Sequence, residues 1–131
     1  MKLFYYGKDG GYDSTVYGYW LVEIKSLFSI VLLKFENGSR DAYHTHAFNC
    51  ISWVLKGQLT ETLFIGRIRK YLPSFRPIIT TRDTFHKVES KGNTWVISFR
   101  GPWTKTWKEF IPKSKELIKL ENGRKIVAVV R

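Results

Sequence analysis

The stretch that decides the fold runs from residue 43 to residue 57 and reads YHTHAFNCISWVLKG. It holds two of the three histidines of the chain, His44 and His46, with one residue between them. On a strand, residues two apart point to the same face of the sheet, so the two imidazoles should project in parallel. Such a pair can share a metal ion, although an isolated pair with ordinary hydrogen bonds is the commoner case. The surrounding sequence therefore decides between these two uses.

Turn residues divide the rest of the chain into short segments of alternating or continuous apolar residues, which is typical of strand-turn-strand architecture. Residues 66 to 77 are basic and contain two prolines, so they are expected to form a long loop or an edge. The pattern predicts strands at Tyr17 to Ile24, Ser29 to Phe35, Asp41 to His46, Cys50 to Lys56, Leu59 to Ile65, Ile78 to Thr80, Thr84 to Val88, Thr94 to Arg100, Trp103 to Phe110, Leu117 to Leu120 and Lys125 to Val130. With no convincing amphipathic helix, this predicts an all-β sandwich or barrel.

The residue pattern of two of these strands indicates how their two faces differ. Ser29 to Phe35 is apolar throughout most of its length, so it is expected to be buried on both faces. In Thr94 to Arg100, alternation places Trp95, Ile97 and Phe99 on one face and the more polar residues on the other.

The composition limits what kind of protein this is. The chain has 131 residues, 44% of them apolar, so we expect one domain spanning residues 1–131 with a real hydrophobic core. A single cysteine, Cys50, excludes an internal disulfide and a multi-cysteine zinc cluster. No signal peptide and no bilayer-spanning apolar run are found, so we expect a cytoplasmic protein without a membrane partner. The net charge of +11 suits a polyanionic partner or a solvated basic surface.

The glycines and the third histidine complete a longer pattern around the histidine pair. Gly38 lies six residues before His44, Gly57 lies eleven after His46, and His86 follows a turn-rich segment. This arrangement resembles the first motif of the cupin superfamily, G-x5-H-x-H-x(3,4)-E-x6-G, followed by the histidine of the second motif. The resemblance implies a cupin-type double-stranded β-helix, or jelly-roll barrel, with all three histidines as ligands of a metal inside the barrel.

The second motif is matched less well than the first. The stretch around its histidine reads TTRDTFHKVES, and Thr81 and Asp83 stand where cupins usually have Pro and Gly. Ser90 stands where their trailing Asn would be. The resemblance therefore rests mainly on the first motif and on the fact that every histidine of the chain falls on a cupin ligand position.

Cys50 occupies the position at which many cupins carry a glutamate as fourth ligand. The segment CISWVLKGQLTETLF around it is similar to the thiol dioxygenases of the same superfamily, which use a three-histidine ferrous site. That similarity implies Fe²⁺, although zinc, nickel or manganese would suit the same ligands. The alternative is that Cys50 is a small apolar plug in the core, and the spacing of the motif favours that alternative.

A second resemblance covers the end of the barrel. YHTHAFN together with TWVISFRGPWTKTWKEF is similar to small uncharacterised cupin-like proteins, many of them encoded by bacteriophages, more closely than to the thiol dioxygenases. This branch implies the fold and the metal site, and a host cytoplasm as the location if the chain is encoded by a phage. It implies no activity.

Several polar residues are further candidates. Arg100 could hold an anionic group of a ligand with its planar guanidinium, or it could be an exposed residue at a strand end. Glu61 could be a barrel-lining base, but a surface charge is the favoured interpretation. Asn49 could orient a ligand histidine or make the turn. The densest basic patch lies close to Tyr71 and Phe75 and comprises Arg67, Arg69, Lys70 and Arg76.

Three functions follow from these observations. The first is a metal-dependent, dioxygenase-like oxidoreductase acting on a small anionic substrate, with Cys50 and Arg100 as candidate catalytic residues. The second is a non-enzymatic binding module for a nucleotide or a nucleic acid, which in a phage would serve interaction with the host; nucleic acid is the less favoured partner. The third is a sugar isomerase or epimerase. Pairing of two chains into a homodimer is also expected, since many cupins pair through strands.

Overall fold

The computed structural model describes residues 2–9, 15–38, 43–104, 106–111, 116–121 and 125–130. All regular structure within these ranges is β. The thirteen strands are β1 (Lys2–Lys8), β2 (Val16–Ile24), β3 (Phe28–Phe35), β4 (Tyr43–His44), β5 (Cys50–Lys56), β6 (Leu59–Leu63), β7 (Ile68–Tyr71), β8 (Ile78–Thr80), β9 (His86–Ser90), β10 (Thr94–Arg100), β11 (Thr106–Ile111), β12 (Glu116–Glu121) and β13 (Lys125–Val130). The described part of the chain has no helix long and apolar enough to cross a membrane.

The strands form two antiparallel sheets. One has six strands in the order β1-β2-β3-β10-β5-β8, and the other has seven in the order β13-β12-β11-β4-β9-β6-β7. Strands distant in sequence are neighbours in both sheets, as where β10 pairs with β3 on one side and β5 on the other. Residues of both sheets line one cavity, so the sheets face each other. The prediction of an all-β architecture is confirmed.

The core lies between the sheets, and strand alternation explains its membership. In β3 the buried residues Val31 and Leu33 alternate with neighbours that are only partly covered. In β10 the same alternation buries Val96 and exposes Phe99. The hydrophobic cluster consists of Trp20, Val31, Leu33, Val54, Leu59 and Val96.

The N-terminal strand is held onto this core by an aromatic pair. Tyr5 stacks on Trp20 with a centroid distance of 4.7 Å and donates a hydrogen bond to Glu23 Oε1 at 3.2 Å. Burial, followed by the nearby Glu23 carboxylate, raises the pKa of Tyr5 to about 12. The phenol therefore stays protonated and able to donate.

The two glycines of the sequence motif both have backbone angles that favour glycine. Gly57, between β5 and β6, has a φ of +99°, and a Cβ there would lie 2.5 Å from Thr94 Oγ1 and 2.6 Å from the Asn93 carbonyl oxygen. Gly38 has a φ of +100° and forms an antiparallel bridge with Ser90, in which both backbone amides donate. Positive φ costs little free energy only for glycine, so these positions are fixed by turn geometry and close packing.

The strand boundaries differ from the predictions in a few places. The predicted strand Asp41 to His46 is seen as the two residues Tyr43–His44, with positions 41 and 42 outside the described residues. Strand β1 was not predicted at all. The segment expected to be a long loop or an edge contains β7, which is an edge strand of the seven-stranded sheet, so that expectation is confirmed. The strand predicted to reach Ile65 ends at Leu63, because Gly66 with a φ of +100° turns the chain into a hairpin.

Candidate metal centre

Strand pairing brings the three histidines of the chain together. His44 in β4 lies directly opposite His86 in β9, with ring centroids 4.8 Å apart. The ring of His46, two residues further on, lies 4.8 Å from that of His44 and 5.0 Å from that of His86. One nitrogen from each ring lies within 4.8 Å of the others. Among the described residues these three side chains are the group that could hold a metal ion.

His86 is prepared for ligation by a buried carboxylate. Its side chain is buried, and its Nδ1 lies 2.5 Å from Glu61 Oε2. An ionised carboxylate only accepts, so Nδ1 carries the proton and donates it to Glu61. Its Nε2 is buried and has no hydrogen-bond partner among the described residues. The Nε2 lone pair is therefore left as the ligand atom of this ring, the arrangement that carboxylate, histidine and metal adopt in many sites.

Glu61 is part of this site and is not a surface charge. It is 5% exposed, and its Oε1 accepts a hydrogen bond from the Tyr71 hydroxyl at 2.9 Å. Burial alone would raise the pKa of the Glu61 carboxyl. The hydrogen bond and the charge interaction with His86, together with the hydrogen bond from Tyr71, outweigh burial and lower this pKa below its usual value. The interpretation favoured from sequence was wrong. Alternation in β6, which puts Leu59 and Glu61 on the inner face, was the signal that could have found it.

The histidines open into a cavity of about 200 Å³ between the sheets. The wall opposite them comes from β5 and β10, and its polar members are Cys50, Ser52, Ser98 and Arg100. Ser52 Oγ donates to Ser98 Oγ at 3.0 Å and lies 4.0 Å from Cys50 Sγ. Cys50 is half-buried and lines the cavity beside Arg100, its partner in the pairing of β5 with β10. It is not a member of the histidine group.

Arg100 is buried, so the alternative of an exposed arginine at a strand end was wrong. Its guanidinium is 2.7 Å from Asp9 Oδ2 and 3.4 Å from Asp9 Oδ1, and lies over the ring of Phe48 at 4.6 Å. Burial alone would lower the pKa of Arg100, but the charge and hydrogen bonds of Asp9 raise it. Arg100 is therefore a fixed cation on the cavity wall, already paired with one carboxylate.

Asn49 and Trp103 both make structural contacts. Asn49 Oδ1 accepts the Arg82 backbone N–H at 2.8 Å, so its side-chain oxygen holds the loop that precedes β9. Trp103 packs on Phe48 with ring centroids 5.4 Å apart and lines the same cavity as the histidines.

The basic patch is exposed. Its four cationic members, Arg67, Arg69, Lys70 and Arg76, all face solvent, and so does Phe75. Tyr71 is half-buried and turned toward Glu61, so it does not offer a stacking surface.

Comparisons with known proteins agree with this architecture. No protein-family model and no curated protein sequence matches the chain. A sugar phosphate isomerase of the cupin superfamily from Silicibacter pomeroyi DSS-3 superposes with a TM-score of 0.66 at 14% identity, covering 100% of this chain and 92% of that one. A cupin superfamily protein from Desulfitobacterium hafniense DCB-2 gives a TM-score of 0.57 at 15% identity, over 72% and 84% of the two chains. FeII HppE gives 0.58 at 17% identity, over 72% and 55%.

These similarities concern the fold alone, because the sequence identities are low. They agree with the two-sheet topology and the central cavity described above. The chain therefore has the cupin-type jelly-roll fold, the double-stranded β-helix that the motif around His44 and His46 predicted.

Proposed function

We propose that the chain is a metal-binding cupin in which His44, His46 and His86 hold a divalent transition metal. Fe²⁺ is the first candidate, and zinc, nickel or manganese would suit the same ligands. The observation that carries the proposal is the convergence of three imidazoles, of which His86 presents a buried, unpartnered Nε2 while Glu61 occupies its Nδ1. Buried polar atoms are rarely left unpaired, so an orphaned nitrogen here is what a ligand site would show.

The residues fit such an ion. Ligand bonds from imidazole are about 2.1 Å long, so three nitrogens on one ion must approach within about 4 Å of one another. The nitrogens already lie within 4.8 Å, and small side-chain rotations complete the approach. A ferrous ion held by three neutral imidazoles would keep open positions for a small ligand and O₂.

The charges of the cavity favour a small anion. A divalent ion held by the histidines would contribute a charge of +2, and Arg100 contributes +1. Glu61 and Asp9 contribute −1 each, so these groups together would carry a net charge of +1. A cavity of about 200 Å³ suits a small molecule. We therefore propose a small anionic substrate, held by the Arg100 guanidinium through a carboxylate or phosphate group that shares or replaces the contact with Asp9.

Cys50 and Arg100 are the proposed catalytic residues of an oxidoreductase. They are partners in the pairing of β5 with β10 and line the same wall of the cavity, so a ligand held by Arg100 would lie beside the Cys50 thiol. The Ser52 and Ser98 hydroxyls continue the same wall and can hydrogen-bond polar groups of a ligand. The resemblance of the sequence to thiol dioxygenases supports this proposal at the level of motifs alone, whereas the phage-encoded cupins implied no activity.

The test is a metal analysis followed by an activity screen. Protein purified without chelators should contain close to one equivalent of a transition metal, and His44→Ala should lose it. The ferrous protein should then consume O₂ with at least one small acid or thiol of a broad panel, and Arg100→Met should raise the concentration of substrate needed. Wild-type protein that takes up no transition metal would refute the metal site. The absence of O₂ consumption with every compound of the panel would refute the oxidoreductase function.

The alternative is a binding module for a nucleotide or nucleic acid. The net charge of +11 and the exposed residues Arg67, Arg69, Lys70 and Arg76 beside the fully exposed Phe75 favour it. Binding to a single-stranded oligonucleotide that persists at physiological salt would support this function, and binding lost by about 0.2 M salt would be non-specific counterion release.

Isomerisation of a sugar phosphate is the third candidate, because the Silicibacter pomeroyi protein of similar fold is a sugar phosphate isomerase. A phosphate group would suit Arg100, so sugar phosphates belong in the substrate panel. We rank it lower because all three histidines of the chain lie in one cluster, which leaves no separate imidazole as a general base.

A further inference from the structure

The outward face of the six-stranded sheet carries large apolar side chains on all of its strands. Ile79 is 70% exposed and Phe99 is 43% exposed, and the rings of Trp53 and Phe99 lie 5.7 Å apart. Continuous apolar surface of this kind marks an interaction site. Two successive rows in register across the sheet, here named the apolar outer face, are Tyr6, Tyr19, Leu32, Ile97 and Trp53, followed by Ile30, Phe99, Ile51 and Ile79.

A third row borders the first of these and alternates lysines with aromatic rings. It consists of Lys8, Tyr17, Lys34, Trp95 and Lys56, one from each of five strands, and is here named the lysine row. The Lys8 ammonium lies 5.8 Å from the centroid of the Tyr17 ring. The Lys34 ammonium lies at the same distance from that of Trp95. Three cations are therefore spread along one border of the apolar outer face.

Carboxylates offset few of these charges. The three rows contain no acidic residue. Asp9 follows Lys8 in the chain, but its carboxylate pairs with Arg100 on the inner side of the sheet. Glu36 follows β3 and is exposed, so it can offset one of the three lysines. The face is therefore positively charged along one border and apolar in its middle.

The loop between β7 and β8 adds an exposed aromatic ring beside Trp53. The Trp53 Nε1 donates to the Phe75 carbonyl oxygen at 3.1 Å, which holds this loop against the outer face. The Phe75 side chain is 100% exposed, and the neighbouring Arg76 is exposed as well. A phenyl ring wholly in water gains free energy on entering an apolar phase, and the guanidinium next to it suits an anionic surface.

The sequence carries the same signal. The segment Ser29 to Phe35 has the composition of a strand buried on both faces, yet the cavity and core cover one face only. In β10 the inward residues Val96 and Ser98 are buried, while Phe99 is exposed on the outward side. Composition and structure agree if an apolar phase covers the outward side.

We propose that the apolar outer face, with the lysine row and Phe75, docks on the surface of an anionic lipid bilayer. The isoleucines and Phe75 enter the boundary between headgroups and acyl chains, to a depth of about 5–10 Å. The tyrosine and tryptophan rings suit the headgroup level, because they are apolar with one polar group. The lysines contact lipid phosphates, and the net charge of +11 attracts the protein to such a surface. This replaces the expectation of no membrane partner, which considered only segments that cross a bilayer.

An anionic lipid surface fits this face better than two other occupants do. A second copy would bring a second lysine row to the same interface, with no carboxylate in either row to pair with it. A single-stranded nucleic acid stacks its bases on free ring faces, but a lysine ammonium already approaches the rings of Tyr17 and Trp95. The row that contains Ile30, Ile51 and Ile79 offers mainly aliphatic groups, which hydrocarbon accepts and bases do not.

The experiment is flotation of the purified protein with lipid vesicles at physiological salt. Vesicles of phosphatidylcholine that contain phosphatidylserine are compared with vesicles of phosphatidylcholine alone. The wild-type protein should float with the anionic vesicles and bind the neutral ones at least about tenfold more weakly, because the lysines then lack anionic partners.

Two pairs of matched variants separate this face from the rest of the protein. Ile79→Ser should weaken vesicle binding about tenfold, because it removes a buried apolar contact. Ile68→Ser changes an isoleucine that is 65% exposed on the edge strand of the other sheet, and it should leave binding unchanged. Lys56→Glu reverses one charge of the lysine row and should also weaken binding about tenfold. Lys70→Glu reverses an exposed charge on β7 of the other sheet and should stay within about threefold of the wild type.

Each outcome decides the proposal, and thermal unfolding shows whether each variant remains folded. Wild-type protein that does not float with anionic vesicles would overturn it, as would a folded Ile79→Ser that binds them as tightly as Ile68→Ser. A molar mass of two chains that falls to one in Ile79→Ser, without vesicle binding, would assign the face to a second copy. Binding of an oligothymidylate that is lost in Lys56→Glu, again without vesicle binding, would assign it to nucleic acid. These readouts depend neither on the metal site nor on catalysis.

Discussion

The substitution Glu61→Gln should weaken metal binding without removing any metal ligand. In the native chain the carboxylate accepts from His86 Nδ1 at 2.5 Å and from the Tyr71 hydroxyl at 2.9 Å. Glutamine keeps the shape but loses the charge. Its amide nitrogen, if turned toward His86, would also move the imidazole proton to Nε2, the atom that the metal needs.

The size of the effect follows from the burial of the pair. Glu61 and His86 are 5% and 3% exposed, so water cannot replace the lost interaction. Loss of such a partner typically lowers metal affinity by about 10- to 100-fold. We expect about 30-fold for Glu61→Gln, equivalent to about 2 kcal/mol of binding free energy.

The assay is a competition titration of the metal-free protein with Co²⁺ or Zn²⁺ against a chelating indicator. Glu89→Gln is the matched control, because Glu89 is an exposed carboxylate three residues after His86 on the same strand and faces outward. It should leave affinity unchanged. Tyr71→Phe removes one hydrogen bond to Glu61 but keeps the carboxylate, so only a few-fold loss is expected.

Two results would refute this reasoning. An affinity of Glu61→Gln within twofold of the wild type would show that the carboxylate does not act on His86. An equal loss in Glu89→Gln would show that general charge, and not the buried contact, sets the affinity.

Four further predictions concern the fold and the cavity. Arg100→Met removes the guanidinium that contacts Asp9 and should lower the free energy of unfolding by about 1–2 kcal/mol in denaturant titrations, because the Asp9 side chain is 31% exposed and water can solvate part of its charge; no loss would mean that the pair is not formed. Gly57→Ala should cost at least about 2 kcal/mol by the same measurement, because φ is +99° and a Cβ would meet backbone atoms. Cys50→Ser should leave metal content unchanged by elemental analysis, and a loss would make the thiol a ligand. The raised pKa of Tyr5 means that its protonated form stabilises the fold fully below pH 10 and that this contribution is lost as pH rises through about 12. Tyr5→Phe should therefore show a flatter alkaline unfolding curve, and an identical curve would contradict the shift.

The fold was predictable because its signals are local and repeated. Single glycines such as Gly57 and Gly66 lie at turns between strands, and the alternation of residues in β5 and β10 is consistent with Cys50 and Arg100 lining the cavity. The convergence of His86 on the other two histidines could be expected only from the motif, since strand pairing over 42 residues leaves no local trace.

The missed features depend on contacts that sequence patterns do not encode. Asp9 and Arg100 are 91 residues apart, and the sequence near each residue gives no indication that the two form an ion pair. Strand β1 was missed because KLFYYGK mixes lysines with aromatics and owes its conformation to pairing with β2. Glu61 was judged by its charge, although its alternating position in β6 pointed inward. Tertiary burial decided each case.

The cavity has two walls of different origin, and this division has a consequence for divergence. The histidines and Glu61 come from the seven-stranded sheet side, whereas Cys50, Ser52, Ser98 and Arg100 come from the six-stranded sheet. Substitutions in the second wall can therefore change the shape and polarity of the cavity while the three imidazoles on the first wall keep their positions. Under the proposed function, related chains could differ in the small molecule that they accept and still share the same three metal ligands.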